Sequence, residues 1–285
     1  MSVISKSKKA GTLYLIPTPI GNLGDITLRA LETMKSVDLL LTEDTRVTRK
    51  LLTHFEIKTR TISYHGFSEK KKLDQILKML LNNKSIALVS DAGMPGISDP
   101  GTILVSACYE NDIPVKVLPG ASAGITALVA SGFEIEGHLF AGFLPKKKSE
   151  LDKKLDELKI FPGAVVIYVS VHQVQTLLKN LAAVMPDRFV HVAREMTKFF
   201  EEHIRGTASD ISGILDSKKP KGEYVIILKP LSLDKKGQEG EDETGILEFL
   251  DHCLSQGISV KTAANLYAKA NGVNRSAVYR VMNSR

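Results

Sequence analysis

From Leu13 to about Ala130 the chain alternates short apolar runs with amphipathic stretches, and that rhythm leaves few folds open to it. Runs of four or five apolar-rich residues at Leu13–Ile16, Asp38–Leu41, Thr61–Tyr64, Ser85–Val89 and Val115–Leu118 read as strands. Helical patterns fall between them near Ile26–Ser36, Arg46–His54, Lys70–Leu81, Ile103–Glu110 and Ala123–Ala130. Strand–helix alternation of this kind predicts a mostly parallel sheet covered on both faces. Asp99-Pro100 predicts a helix start, with Asp as N-cap and Pro at the first helical position.

A second α/β region runs from about Gly132 to Pro230. Its expected strands are His138–Phe143, Val165–Val169, Phe189–Val192 and Tyr224–Leu228, and its helices Leu151–Lys159, Gln173–Val184 and Ser209–Leu215. The expected organisation is a flexible basic arm (1–11), two α/β domains (12–131 and 132–230), an acidic linker (231–244) and a small helical tail (245–285). The linker holds almost nothing apolar to bury. No flexible joint separates the two α/β regions, which predicts a close interface and a ligand site there.

Composition narrows the function. The 285 residues are 43% hydrophobic and 25% charged, ordinary for a globular protein. No apolar run approaches the roughly 18 residues of a membrane span. The N-terminus has lysines but no apolar core, so it does not read as a secretory signal. Cys108 and Cys253 stand far apart and no metal-ligand spacing occurs, which predicts a reducing, cytoplasmic setting with no metal or disulfide. A net charge of +6 suits either a polyanionic partner or a mildly basic protein that touches none.

Two loops carry the strongest functional signal. Ser90–Gly101 reads Ser-Asp-Ala-Gly-Met-Pro-Gly-Ile-Ser-Asp-Pro-Gly and follows one predicted strand; Leu118–Gly124 reads Leu-Pro-Gly-Ala-Ser-Ala-Gly and follows another. Both fall beyond the carboxyl ends of parallel strands, where open α/β sheets bind ligands. The first has no Lys or Arg, which disfavours a polyphosphate. The opening loop, Pro17–Asp25, lacks both the G-x-G-x-x-G and the P-loop patterns. Thr42–Arg46 supplies either a general base or a capped helix start. His65 and the Ala193–Lys198 stretch each admit a functional and a structural reading. Ala268 and Gly272 have helix-turn-helix spacing, but Val273 falls one position early, so a small helical bundle is expected.

Taken together, Leu13–Leu23, Glu43–Arg46, Ser90–Gly101 and Leu118–Ala123 resemble the small-subunit ribosomal RNA 2'-O-ribose cytidine methyltransferases of the tetrapyrrole-methylase-like superfamily. Gly142–Pro145, Ala193–Lys198 and Gly222–Tyr224 continue the likeness. The resemblance implies a class III methyltransferase: two α/β domains with mostly parallel sheets plus a helical tail, dimeric, using S-adenosylmethionine in the interdomain cleft. It places the cofactor against Ile20, Asp91, Gly93, Met94, Ile97, Ala121, Ser122, Ala123, Tyr168, Ala193 and Gly222. Glu43, Asp44, His65 and Glu195 are the candidates for accepting the ribose proton. Arg46, Arg49, Lys146, Lys147 and Lys148 are candidates for contacting small-subunit RNA. Two stretches depart from the family pattern. Tyr168–Gln173 reads Tyr-Val-Ser-Val-His-Gln where an acid and an arginine are usual, and Tyr64–Glu69 reads Tyr-His-Gly-Phe-Ser-Glu. The competing readings are a methyltransferase of tetrapyrroles or other small molecules, and a non-enzymatic nucleic-acid-binding regulator.

Overall fold

The structure is a computed structural model and describes residues 10–216, 219–231, 243–271, 273 and 275–283. The expected basic arm lies almost wholly outside these residues, as does most of the acidic linker and Gly272 of the helix-turn-helix spacing.

The first sheet has the order β3-β2-β4-β1-β5 and every pairing in it is parallel. Its strands are β1 (Leu13–Ile16), β2 (Leu39–Thr42), β3 (Thr61–Ser63), β4 (Ile86–Val89) and β5 (Val115–Val117). Helices α1 (Leu28–Ser36), α2 (Thr45–His54), α3 (Gly66–Leu81), α4 (Thr102–Glu110) and α5 (Ala123–Ala130) connect and follow them. Alternate residues serve opposite faces, as a period of two requires. Leu13, Leu15, Leu39, Leu41, Ile86 and Leu88 pack toward Leu80 and Leu104 on one side. Ile16, Leu40, Ala87 and Val89 pack toward Met34 and Leu51 on the other.

The second sheet has the order β6-β7-β10-β8-β9, built from β6 (His138–Phe143), β7 (Ala164–Val169), β8 (Phe189–Arg194), β9 (Glu202–Thr207) and β10 (Tyr224–Leu228). Only β6 and β7 pair in parallel; β7–β10, β10–β8 and β8–β9 are antiparallel. The mostly parallel arrangement expected of both sheets therefore holds across the first and only at one edge of the second. The reason is the short β8–β9 hairpin: β9 was absent from the sequence reading, and a hairpin forces antiparallel pairing. A register shift between Phe140 and Gly142 makes Ala141 an extra residue in β6. Helices α6 (Lys148–Lys159), α7 (Val174–Val184) and α8 (Ala208–Asp216) cover one face of this sheet.

The other face receives α5. Ala127 and Leu128 from that helix, with Ile20 from the loop after β1, share one core with Val166, Ala193, Val225 and Ile227 of the second sheet. The two α/β regions are thus joined by an apolar contact. The tail forms its own small unit, α9 (Glu243–Ser255), α10 (Val260–Asn271) and α11 (Arg275–Asn283), around Leu250, Ala264, Ala268 and Val281. No helix among the described residues is long and apolar enough to cross a membrane, and no cluster of metal-ligating side chains occurs among them.

Candidate active site

The loops after β1 and β4 are stitched to each other at the carboxyl edge of the first sheet. Thr18 and Gly93 exchange two backbone hydrogen bonds of 2.9 Å, Thr18 Oγ1 donates to the Ser90 carbonyl, and Ser90 Oγ donates to the Gly93 carbonyl. Gly93 has φ +79°, a conformation that L side chains resist. The far end of the β4 loop is pinned by buried Glu69, whose carboxylate accepts the Gly101 amide at 3.1 Å and the Tyr64 hydroxyl at 3.4 Å.

Here the Asp99-Pro100 expectation is corrected. Helix α4 begins at Thr102 with Gly101 at its cap, because Ser98 (φ +64°) and Gly101 (φ +139°) bend the chain before it can enter the helix. Asp99 caps nothing. Its carboxyl lines a cavity of about 480 Å³ between the two α/β regions, a size typical of cofactor sites. Burial, then the neighbouring carboxylates of Glu43 and Asp91, push the Asp99 carboxyl up to about 7. Asp91 is also raised, chiefly by burial, while its carboxylate accepts the Asp44 amide at 3.0 Å. Glu43 is raised by burial and by Asp91.

The cavity wall contains Ile20, Asp91, Gly93, Met94, Ile97, Ser122, Ala123, Tyr168 and Gly222, nine of the eleven positions expected to meet a cofactor. The other two stand back from it. Ala121 packs behind the wall, its carbonyl facing Gly93, and Ala193 points into the interdomain core. Tyr168 Oη accepts the amide of Gly124 at 3.0 Å, and Phe140 and Phe143 meet its ring edge-on. The wall also includes Ser98, Asp99, Phe143, Ser170, Val171, Met196 and Tyr224, which were not among the expected cofactor contacts. No lysine, arginine or histidine lines it among the described residues.

None of Glu43, Asp44, His65 and Glu195, the expected proton acceptors, is among the lining residues. Asp44 caps α2, accepting the Arg46 amide, and its pairing with the Arg46 guanidinium holds its carboxyl down at about 2. Glu195 accepts from Lys198 Nζ at 2.8 Å and from the Glu223 amide at 2.9 Å; the Lys198 bond keeps it below the usual carboxylate range. Both side chains are thus committed to structure. The expected RNA contacts Arg46, Arg49, Lys146, Lys147 and Lys148 are all exposed, with Lys147 and Lys148 paired to Glu150 and Asp152.

Comparison with known proteins agrees with this architecture. Residues 12–212 match the tetrapyrrole (corrin/porphyrin) methylase family. Ribosomal RNA small subunit methyltransferase I of Streptococcus pyogenes serotype M3 is 42% identical over 96% of this chain and 95% of its own length. The protein of the same name from Bacillus subtilis is 39% identical over 94% and 93%. Among solved structures, uroporphyrin-III C-methyltransferase from Thermus thermophilus, complexed with S-adenosyl homocysteine, superposes with a TM-score of 0.54 at 18% identity, covering 77% of this chain and 97% of that one. Fold, cavity and full-length similarity together make this chain a member of the tetrapyrrole methylase family, within the group of the ribosomal RNA small subunit methyltransferase I proteins.

Proposed function

We propose that the protein transfers a methyl group from S-adenosylmethionine to the 2'-hydroxyl of a cytidine ribose in small-subunit ribosomal RNA, acting as a cytoplasmic homodimer. The observation that carries this reading is the similarity to relatives named for that RNA, which runs nearly end to end in both chains. The cavity supports the choice of donor. An acidic wall without cations disfavours phosphates and suits a ligand bearing a positive sulfonium and an amino group. When bound, the cofactor supplies an already activated methyl carbon, so the protein has chiefly to align it with the attacking oxygen.

The chain's own residues then have distinct tasks. Gly93, Met94, Ile97, Ser122 and Ala123 hold the donor from the first region, and Tyr168 and Gly222 hold it from the second. Asp99 receives the proton that the ribose hydroxyl sheds. A carboxyl poised near neutrality suits that task, since it is partly ionised at working pH yet basic enough to accept. Burial sets most of that basicity, and the charges of Glu43 and Asp91 add to it. Arg46, Arg49 and Lys146–Lys148 contact the RNA backbone.

The test is transfer of labelled methyl to small subunits that lack the modification, followed by nuclease digestion and mass spectrometry. Label recovered as 2'-O-methylcytidine is the expected result. Label on a base, or no transfer where a control methyltransferase works on the same subunits, overturns the proposal.

A further inference from the structure

The loop joining β8 to β9, Glu195–Glu201, is held unusually firmly for a surface connection. Glu195 and Thr197 both take positive φ, 51° and 65°, which non-glycine residues avoid unless their surroundings impose it. The surroundings do so here. Lys198 Nζ bridges Glu195 and Glu223 at 2.8 Å each, and the Glu195 amide donates to the Glu223 carbonyl at 3.0 Å. Glu201 accepts the Thr197 amide and faces His203 Nε2 at 2.7 Å. The loop also crosses to the first region. A Cβ on Gly21 would lie 2.5 Å from Lys198 Cγ, 2.7 Å from Thr197 Oγ1 and 3.0 Å from the Met196 carbonyl oxygen, so the loop lies hard against Gly21.

From this braced loop two aromatic rings stand in solvent. Phe199 is 94% exposed and Phe200 69%, with their centroids 5.0 Å apart and their planes perpendicular. Exposed phenylalanines forgo the burial that ordinarily stabilises a fold, and here the loop is not free to tuck them in. The rings sit three and four residues from Met196, and Lys198 of the same loop is held by Glu223; Met196 and Glu223 both line the cavity. The nearby carboxylates of Glu195, Glu201 and Glu202 are engaged by Lys198, His203 and Arg194, so they do not leave the tip a bare acidic surface.

We infer that the Phe199–Phe200 tip is a stacking platform for unpaired nucleobases of the RNA substrate, holding the strand beside the cavity so that one ribose reaches it. The inference rests on the proposed RNA methylation and adds to it a recognition element. Two perpendicular rings offer stacking faces in two directions, which fits unstacked, splayed bases rather than a regular duplex. A contact between copies of the chain has other exposed apolar residues to use, Ile125 and Val129 one turn apart on α5. The narrow tip, on the loop that supplies Met196 to the cavity wall, suits a strand.

The experiment compares wild type, the double variant Phe199→Ala/Phe200→Ala and the aromatic variant Phe199→Tyr/Phe200→Trp. The measurements are KM for unmethylated small subunits, calorimetric affinity for S-adenosylmethionine, sedimenting mass, and quenching of a single-stranded RNA carrying 2-aminopurine. The alanine pair is expected to raise KM for RNA about tenfold or more. It should abolish the quenching and leave cofactor affinity and mass unchanged, and the aromatic pair should restore the wild-type values. An alanine variant with wild-type KM and quenching overturns the inference alone. So does a loss accompanied by a changed mass or a weakened cofactor affinity, which would assign the rings to contact between copies or to the cavity. Wild type that neither binds nor methylates RNA overturns this inference and the proposed function together.

Discussion

The hydroxyl of Tyr168, on β7, accepts the backbone amide of Gly124 in the first turn of α5, and this 3.0 Å bond crosses between the two α/β regions at the cavity wall. The first amides of a helix have no partner within it, so the bond both satisfies α5 and sets its distance from the second sheet. Burial raises the Tyr168 phenol above its ordinary value. Tyr168→Phe preserves the ring and removes the acceptor. Urea unfolding should show a loss of about 1–3 kcal/mol, together with weaker cofactor binding by calorimetry.

Ser122 precedes α5 and lines the cavity, yet its side chain makes no capping bond. Replacing it therefore removes little from the fold. Ser122→Trp should fill the space assigned to the cofactor and abolish the heat of S-adenosylmethionine binding, with the circular dichroism spectrum of wild type retained. Undiminished binding would move the cofactor away from this loop.

Asp99 gives the reaction a pH dependence whose direction is fixed. With its carboxyl near 7 and the ionised form as acceptor, single-turnover methylation should rise with pH through that value. Asp99→Asn should lower the rate by about 10²–10⁴-fold and remove the rise. Stability should move the other way. The folded-state pKa lies above the ordinary carboxylate value, so as pH rises from about 4 to 7 the unfolded chain releases a proton that the folded one still holds, and stability falls. At pH 8 the Asn variant should melt higher than wild type.

His191 predicts acid sensitivity. It is fully buried, its Nε2 lies 3.2 Å from His203 Nδ1, and His203 Nε2 faces Glu201. Neutral tautomers satisfy this chain if each Nε2–H donates outward, leaving His191 Nδ1 as an unpartnered acceptor. Burial, then His203 and Arg205, depress His191 to about 4. As pH falls from about 6.5 the unfolded chain takes up a proton that the folded one refuses, so stability drops by about 3 kcal/mol by pH 4. Chemical denaturation across that range should show the slope, and His191→Gln should flatten it.

Much of this could be read from the chain because apolar runs mark buried strands: β1, β6 and β10 fall where their residues put them. Strand β9 escaped because Glu-His-Ile-Arg-Gly-Thr offers a single large apolar residue. It is an edge strand with a half-exposed surface, for which polar side chains are the norm. Asp99 was misread for a different reason. Asp-Pro is a sound local signal for a helix start, but the positive φ of Ser98 and Gly101 delays the helix and releases the carboxyl into the cavity. Glu195 looked available for chemistry until Lys198 and Glu223, the latter distant in sequence, were seen beside it. The exposure of Phe199 and Phe200 is a property of the folded loop alone, since the same residues in another loop would be buried.

The extra residue in β6 decides which way a whole aromatic wall faces. Phe140 and Phe143 are an odd number apart, so in an unbroken strand they would point to opposite sides. Ala141 absorbs the odd step, setting Phe140 opposite Val166 and Phe143 opposite Tyr168, two neighbours on one side of β7. Both rings consequently embrace Tyr168. Had Ala141 paired in register instead of bulging, Phe143 would have swung round to the helical layer, away from Tyr168, and one side of the cavity would be lost.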